Sequence, residues 1–243
     1  MITPINYKDG VIYFGTQYFF WHGLQSSEPL HVIMNGFDLR NKKFIFRYKI
    51  INQRKISFPI IYKDRIVFAT NHFVIALDSN TGKRKWIKIS KSNYISELIP
   101  VKDGVGYYYE NINTSSILHA IDIETGMDVL TLNFDFPIVG IPSIDEKNIY
   151  LISYNGSLLS IDRINGNIKW IKSNLKPIYN SLTIVRDTIY LVNENSICVL
   201  NKDNGDIIWQ GKEKVDMPVY SLIPSDKILI VPNFFEIYIY RSE

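Results

Sequence analysis

The stretch Ala76-Leu77-Asp78-Ser79-Asn80-Thr81-Gly82-Lys83-Arg84-Lys85-Trp86 decides the fold, because its order of apolar strand, glycine-closed polar turn and tryptophan-bearing strand returns along the chain. The turn residue recurs at Asp38, Asp78, Asp122, Asp162 and Asn201, about 40 residues apart each time, a period that marks a repeat architecture. Glycine follows four positions on at Gly82, Gly126, Gly166 and Gly205, while the first unit holds Lys42 there. Eight positions beyond the turn residue stand Phe46, Trp86, Leu130, Trp170 and Trp209.

Each part of the repeat has a physical reading. An Asp or Asn side chain accepts backbone N–H groups just ahead of it, and glycine supplies the positive φ that closes the turn. A residue that recurs once per unit is expected to cap a turn, not to do chemistry. The ring at the eighth position, including Trp86, Trp170 and Trp209, is expected to wedge between neighbouring units with its N–H on a backbone acceptor.

Upstream of each turn lies a second repeated block, a short strand, a polar turn such as Lys63-Asp64-Arg65 and a second strand, in six copies. Together the two halves give four short strands in about 40 residues, the content of one β-propeller blade. Compact runs such as Phe73-Val74-Ile75-Ala76-Leu77 and Ser196-Ile197-Cys198-Val199-Leu200 lack the 3.6 period of helical repeats. The expected fold is all-β: a β-propeller of six roughly 40-residue blades, with blades near residues 4–52, 53–93, 94–135, 136–175, 176–214 and 215–243, forming one domain.

Composition narrows the function classes. The 243 residues are 46% apolar, with 16 Tyr, 4 Trp and 13 Phe, enough for a buried core built of strands. The net charge of +3 is scattered without a basic block, which argues against nucleic-acid binding. No segment reaches the roughly 18 consecutive apolar residues of a spanning helix. The single cysteine, Cys198, excludes an internal disulfide and reads as a small buried hydrophobe. Lys8 and Asp9 interrupt the first twenty residues, so these do not read as a signal peptide, and the expected location is cytoplasmic.

The motif resembles the PQQ-like (pyrroloquinoline-quinone-type) propeller repeat, whose Ala-x-Asp-x-x-Thr-Gly-x-x-x-Trp signature is matched by Ala76, Asp78, Thr81, Gly82 and Trp86. Ala120, Asp122, Thr125 and Gly126 match with Leu130 in the Trp place, and Asp162, Gly166 and Trp170 match closely. The resemblance implies a circular fold and two kinds of function. One is that of quinoprotein dehydrogenases, usually larger eight-bladed rings holding cofactor and calcium. The other is that of the lipoprotein scaffold of outer-membrane β-barrel assembly, which carries a signal and an N-terminal lipidated cysteine.

Two irregularities stand out against the repeat. Residues 15–31 form an insertion between the second and third strands of the first unit, with the aromatic run Tyr18, Phe19, Phe20, Trp21 and His22. In the last unit the third strand runs to residue 241 with no fourth strand after it, so the last blade is expected to be three-stranded with an open edge that could accept a strand from a partner.

Because strands alternate in direction, the loops after second and fourth strands share one face, opposite the Asp-x-x-x-Gly turns. With the insertion, that face gives the candidate partner-binding residues: Tyr18, Phe19, Phe20, Trp21, His22, His72, Tyr94, Phe134, Phe136, Tyr179, Phe234 and Phe235. Aromatics interleaved with amides suit protein recognition. His22, His31, His72 and His119 show no metal-ligand spacing, and no nucleophile elbow or phosphate loop is present. Neither catalytic residues, cofactor nor metal is therefore expected.

The reading is a non-catalytic protein-binding scaffold, in its narrow form a bacterial immunity protein that neutralises a partner toxin. The alternatives are a hydrolase, lyase or quinone-related enzyme with its site at the channel mouth, and a periplasmic assembly scaffold if a leader was removed.

Overall fold

A computed structural model describes residues 2–17, 30–92, 94–100, 103–175, 182–193, 196–211, 223–224, 228–232 and 237–241, and every regular element among them is a strand. The described strands form six antiparallel sheets, one per repeat, each a simple up-and-down meander. The first holds β1 (Asn6–Lys8), β2 (Val11–Gln17), β3 (His31–Asp38) and β4 (Lys43–Ile51), the second β5 (Ile60–Tyr62), β6 (Arg65–Ala69), β7 (Phe73–Asp78) and β8 (Arg84–Ile89). The third holds β9 (Ile99–Pro100), β10 (Val105–Ile112), β11 (Ser115–Asp122) and β12 (Asp128–Phe134). The fourth is β13 (Ile138–Ile144), β14 (Asn148–Ser153), β15 (Leu158–Asp162) and β16 (Ile168–Lys172), the fifth β17 (Thr183–Val185), β18 (Thr188–Asn193), β19 (Ser196–Asn201) and β20 (Ile207–Gln210). The sixth has three strands among the described residues, β21 (Ile223–Pro224), β22 (Ile228–Pro232) and β23 (Ile237–Arg241). The chain divides into two compact units, Met1–Asn133 and Phe134–Glu243.

Burial explains why the central strands read as unbroken apolar runs. In the second sheet Ile66, Phe68, Ile75 and Leu77 pack with Tyr13, Val32 and Met34 of the first repeat and with Ile56 of the linker between them. The alternate residues Val67, Ala69, Val74 and Ala76 pack with Ile95, Leu98, Tyr108 and Ile121 of the third. Both faces of each strand are therefore buried, which removes the alternation of a half-exposed strand. Each fully buried Val, Ile, Leu or Phe contributes about 1.5–3 kcal/mol of transfer free energy. The fourth strands differ: β8 alternates exposed and half-buried positions, as does β16.

The turns behave as side-chain caps. Asp78 Oδ1 accepts the N–H groups of Asn80 at 3.0 Å and Thr81 at 2.9 Å, and the Thr81 hydroxyl at 3.0 Å. Asp38, Asp122, Asp162 and Asn201 accept the equivalent backbone donors. Gly82 lies at φ +67, and Lys42, in the glycine place of the first unit, holds φ 52. The first turn thus keeps the left-handed geometry without the residue that adopts it freely.

The rings at the eighth position seat on the turn of the next repeat. Trp86 Nε1 donates to the Ile123 carbonyl at 3.1 Å, and Trp170 Nε1 to the Lys202 carbonyl at 3.0 Å. A Cβ on Gly126 would stand 2.7 Å from the Trp86 ring, one on Gly205 2.7 Å from Trp170, and one on Gly82 2.4 Å from Phe46. The glycine is therefore needed twice over, for its φ and for the ring above it. Trp209 departs from the expected wedge: it is 46% exposed.

The first-unit insertion is shorter than residues 15–31. Gly15, Thr16 and Gln17 continue β2, paired with Met34, Ile33 and Val32 of β3. Tyr18, Phe19, Phe20, Trp21 and His22 lie outside the described residues.

Candidate functional site

One device repeats at the start of three repeats in the first unit. Thr3, Ser57 and Ser96 each donate a backbone N–H to a second-strand carbonyl, of Gly15, Ala69 and Tyr109 respectively. Their hydroxyls accept the N–H of those same residues at 2.7, 2.8 and 2.9 Å. This fastens the incoming linker to its sheet and fixes what the linker displays. Sequence reading missed it, although the Ile-Ser or Ile-Thr pairs at Ile2, Ile56 and Ile95 carry the signal.

The linker into the second sheet builds the site of the first unit. Asn71 Oδ1 accepts the N–H groups of Arg54 and Lys55, both at 2.8 Å, and Gln53 Oε1 accepts the His72 N–H at 3.3 Å. His72 is thereby held by its backbone, with its ring edge-on to Phe73 at 6.3 Å. Lys55 then reaches across to the next linker. Its Nζ donates to the Ile95 carbonyl at 3.2 Å, pairs with Glu97 Oε1 at 3.1 Å and lies 4.9 Å from the centre of the Tyr94 ring. Glu97 Oε2 accepts the Phe58 N–H at 3.3 Å.

The outcome is an ion pair flanked by two presented rings, Phe58 at 49% and Tyr94 at 44% exposure. Lysine fixed over an aromatic face contributes about 0.5–1 kcal/mol at an exposed site. A rigid aromatic pair beside a satisfied charge gives a partner apolar area at low entropic cost. His72 and Tyr94 thus attach to one linker, and Lys55, Glu97 and Phe58 belong with them.

In the second unit Phe134 and Phe136 pack against each other, centroids 5.2 Å apart, and both are half-buried. Tyr154, 68% exposed, donates its N–H to the Pro137 carbonyl at 2.8 Å, which ties its backbone to the segment after Phe136. Tyr179, Phe234 and Phe235 lie outside the described residues. Among the described residues no helix is long and apolar enough to cross a membrane.

The first unit also holds a partly buried polar cluster across β10, β11 and β12, next to the same linker. His119 stacks on Tyr108 at 4.7 Å, with Nδ1 3.2 Å from Asp128 and Nε2 3.7 Å from Glu110. Lys88 of the preceding sheet completes it at 2.5 Å from Asp128. Sequence reading set His119 aside for want of metal spacing and did not anticipate this contact, which depends on the register Tyr108↔His119.

Comparison with known proteins adds the family. The family model described as outer membrane protein assembly factor BamB, a PQQ-type repeat model, matches residues 70–218, more than half of the chain. The chain belongs to that family. A curated relative, outer membrane protein assembly factor BamB of Shewanella oneidensis, is 25% identical over 195 residues, covering 74% of this chain. The match spans 48% of that protein, about half its length.

Among solved structures, BamB from Moraxella catarrhalis is similar with a TM-score of 0.72 at 15% identity, over 96% of this chain and 70% of that one. A quinohemoprotein alcohol dehydrogenase of Pseudomonas putida HK5 is similar with a TM-score of 0.64 at 12% identity, over 88% and 42%. At such identities these likenesses establish the β-propeller fold and nothing of the chemistry.

The expectation of a cytoplasmic protein is corrected by this membership. A family described by outer membrane protein assembly points away from the cytoplasm. The reading rested on the absence of a signal-like or membrane-spanning segment, and such absences do not fix a compartment. Nothing in the comparisons supports a toxin as the partner.

Proposed function

We propose that this chain is a non-catalytic propeller that binds protein partners in the assembly of outer membrane proteins, outside the cytoplasm. The observation that carries this reading is the family match over residues 70–218. The aromatic patch of Phe58 and Tyr94 around the Lys55–Glu97 pair supplies a surface of the right chemistry. Aromatic anchors ringed by satisfied polar groups dominate protein interfaces.

The test is covalent capture of the tagged chain from the cell envelope, with identification of cross-linked proteins. Recovery of outer membrane protein assembly components, reduced at least tenfold by the pair Phe58→Ala and Tyr94→Ala, is the expected result. Recovery of cytoplasmic proteins alone overturns the reading.

A further inference from the structure

His119 faces a carboxylate from each of its two ring nitrogens. Nδ1 lies 3.2 Å from Asp128 Oδ1, and Nε2 lies 3.7 Å from Glu110 Oε1. A neutral imidazole carries one N–H and one bare lone pair, so either tautomer sets a lone pair against one of the two carboxylates. The two sides differ in what else they hold. Asp128 Oδ2 receives the Lys88 ammonium of β8 at 2.5 Å, whereas the buried Glu110 carboxylate accepts only the neutral Lys91 N–H at 3.2 Å. Nε2 is itself buried and has no hydrogen-bond partner. Tyr108, stacked on the ring, adds no charge, because burial pushes its hydroxyl up, far from neutral pH. One further proton on the line from Nε2 to Glu110 satisfies both groups, whether it rides on the ring or on the carboxyl.

Glu110 is also where the linker that displays Tyr94 is anchored. Its carboxylate accepts the Lys91 N–H, and its backbone pairs with Ile95 in an antiparallel bridge. Between these points the Ser92 hydroxyl donates to the Asn111 carbonyl at 2.6 Å and accepts the Tyr94 N–H at 2.9 Å. Ile95 in turn offers its carbonyl to Lys55 at 3.2 Å, the same ammonium that lies over the Tyr94 ring. A displacement of the Glu110 side chain therefore reaches the displayed ring through Lys91 and Ser92.

We propose that the contact between His119 and Glu110 is a proton-binding site, and that its proton holds in place the linker that presents Tyr94. With the proton bound, Nε2 and Oε1 share it, and Oε2 stays on the Lys91 N–H. With the proton released to solvent, a buried carboxylate faces a lone pair. Burying a charge without a partner is costly, so the carboxylate turns from the ring and gives up the Lys91 bond. The folded chain takes up a proton that the unfolded chain does not hold, so this contribution to stability falls as pH rises through the release. This rests on the protein-binding reading above and names a regulation of that surface: Phe58 and Tyr94 are presented in fixed geometry at the lower pH and loosened at the higher.

The test is amide hydrogen exchange on the full chain at about pH 5 and about pH 8, the range over which histidine changes charge, with rates corrected for their intrinsic pH dependence. Protection at Lys91 and Tyr94 should fall at least tenfold at the higher value, with little change at β7. Glu110→Gln sets a permanent N–H toward Nε2 and keeps an oxygen for Lys91, so its protection should match the native low-pH value at both. His119→Phe keeps a ring on Tyr108 and removes the proton site, so its protection should be low at both. The ring nitrogen shifts of His119 in NMR should change in step with the native loss of protection. Equal native protection at the two values overturns the proposal, as does a fall that persists in Glu110→Gln. Exchange needs no partner, so envelope capture that recovers cytoplasmic proteins alone removes the scaffold reading and leaves the proton site to stand or fall on the exchange data.

Discussion

Trp86 donates its indole N–H to the Ile123 carbonyl at 3.1 Å and lies over Gly126, whose missing Cβ would stand 2.7 Å from the ring. One contact therefore joins two repeats through a hydrogen bond and a close approach that only glycine permits. Gly126 also holds φ +75. Gly126→Ala is expected to cost about 2–4 kcal/mol, combining backbone strain with overpacking. Trp86→Phe should cost about 1 kcal/mol from the lost hydrogen bond, and more from lost packing. Urea denaturation with an unchanged m-value reads both.

The first turn offers the opposite change. Lys42 holds φ 52 where the other turns have glycine, and a side chain in that region costs roughly 1 kcal/mol. Lys42→Gly relieves this but gives the unfolded chain more freedom, which offsets part of the gain. The expected net is a stabilisation of up to about 1 kcal/mol, seen as a higher urea midpoint. A loss of stability would mean that the lysine side chain makes a contact worth more than the strain.

Trp170 and Trp209 occupy the same repeat position and should respond differently. Trp170 is packed with Tyr150, Leu182 and Leu200 and bonded to Lys202, so Trp170→Ala should cost about 3–5 kcal/mol. Trp209, 46% exposed, should cost roughly 1 kcal/mol or less on the same change. Comparable costs would place Trp209 in the core after all.

The difference between those two tryptophans marks what the sequence could show. Asp78, Gly82 and Trp86 act through local turn geometry and through contact with the next copy of the same motif, so their roles are written in the period. The cap, the glycine and the wedge follow from it. The period alone does not show how far each ring is covered: Trp209 occupies the same repeat position as Trp170 and is 46% exposed. The candidate site was harder still. Lys55, Glu97 and Tyr94 meet where Ser57 and Ser96 fasten two successive linkers to their sheets, and linker residues share no apolar period that would reveal it. Location was not legible from Lys8 and Asp9, since a compartment is not a property of the fold.

Acid sensitivity follows from the caps. The Lys85 ammonium beside Asp78 holds its carboxyl down at about 2, helped by the Thr81 hydroxyl and the turn N–H groups. Asp38, Asp122 and Asp162 are lowered chiefly by the N–H groups of Asn41, Thr125 and Asn165. A carboxyl whose pKa is lower folded than unfolded stabilises the fold above the unfolded value and loses that contribution as pH falls through the folded one. The urea midpoint should therefore drop between the ordinary carboxyl value of 3.8 and about 2. Asp78→Asn keeps a capping oxygen and removes the charge, so its midpoint should fall less steeply over the same window.

Glu110 and His119 test whether the buried cluster acts as a unit. The Glu110 side chain is only 6% exposed and the His119 side chain 12%, with Nε2 3.7 Å from the carboxylate. The other ring nitrogen lies 3.2 Å from Asp128, itself tied to Lys88 of the neighbouring sheet. Removing the ring takes a polar neighbour from a buried carboxylate, at a cost of about 1–3 kcal/mol. His119→Leu should therefore destabilise by that order, while Glu110→Gln with His119→Leu should recover part of the loss. A double-mutant cycle should give a coupling of about 0.5–3 kcal/mol. A coupling near zero would mean that Glu110 is satisfied by the Lys91 N–H, which it accepts at 3.2 Å, and that the ring serves only to pack against Tyr108.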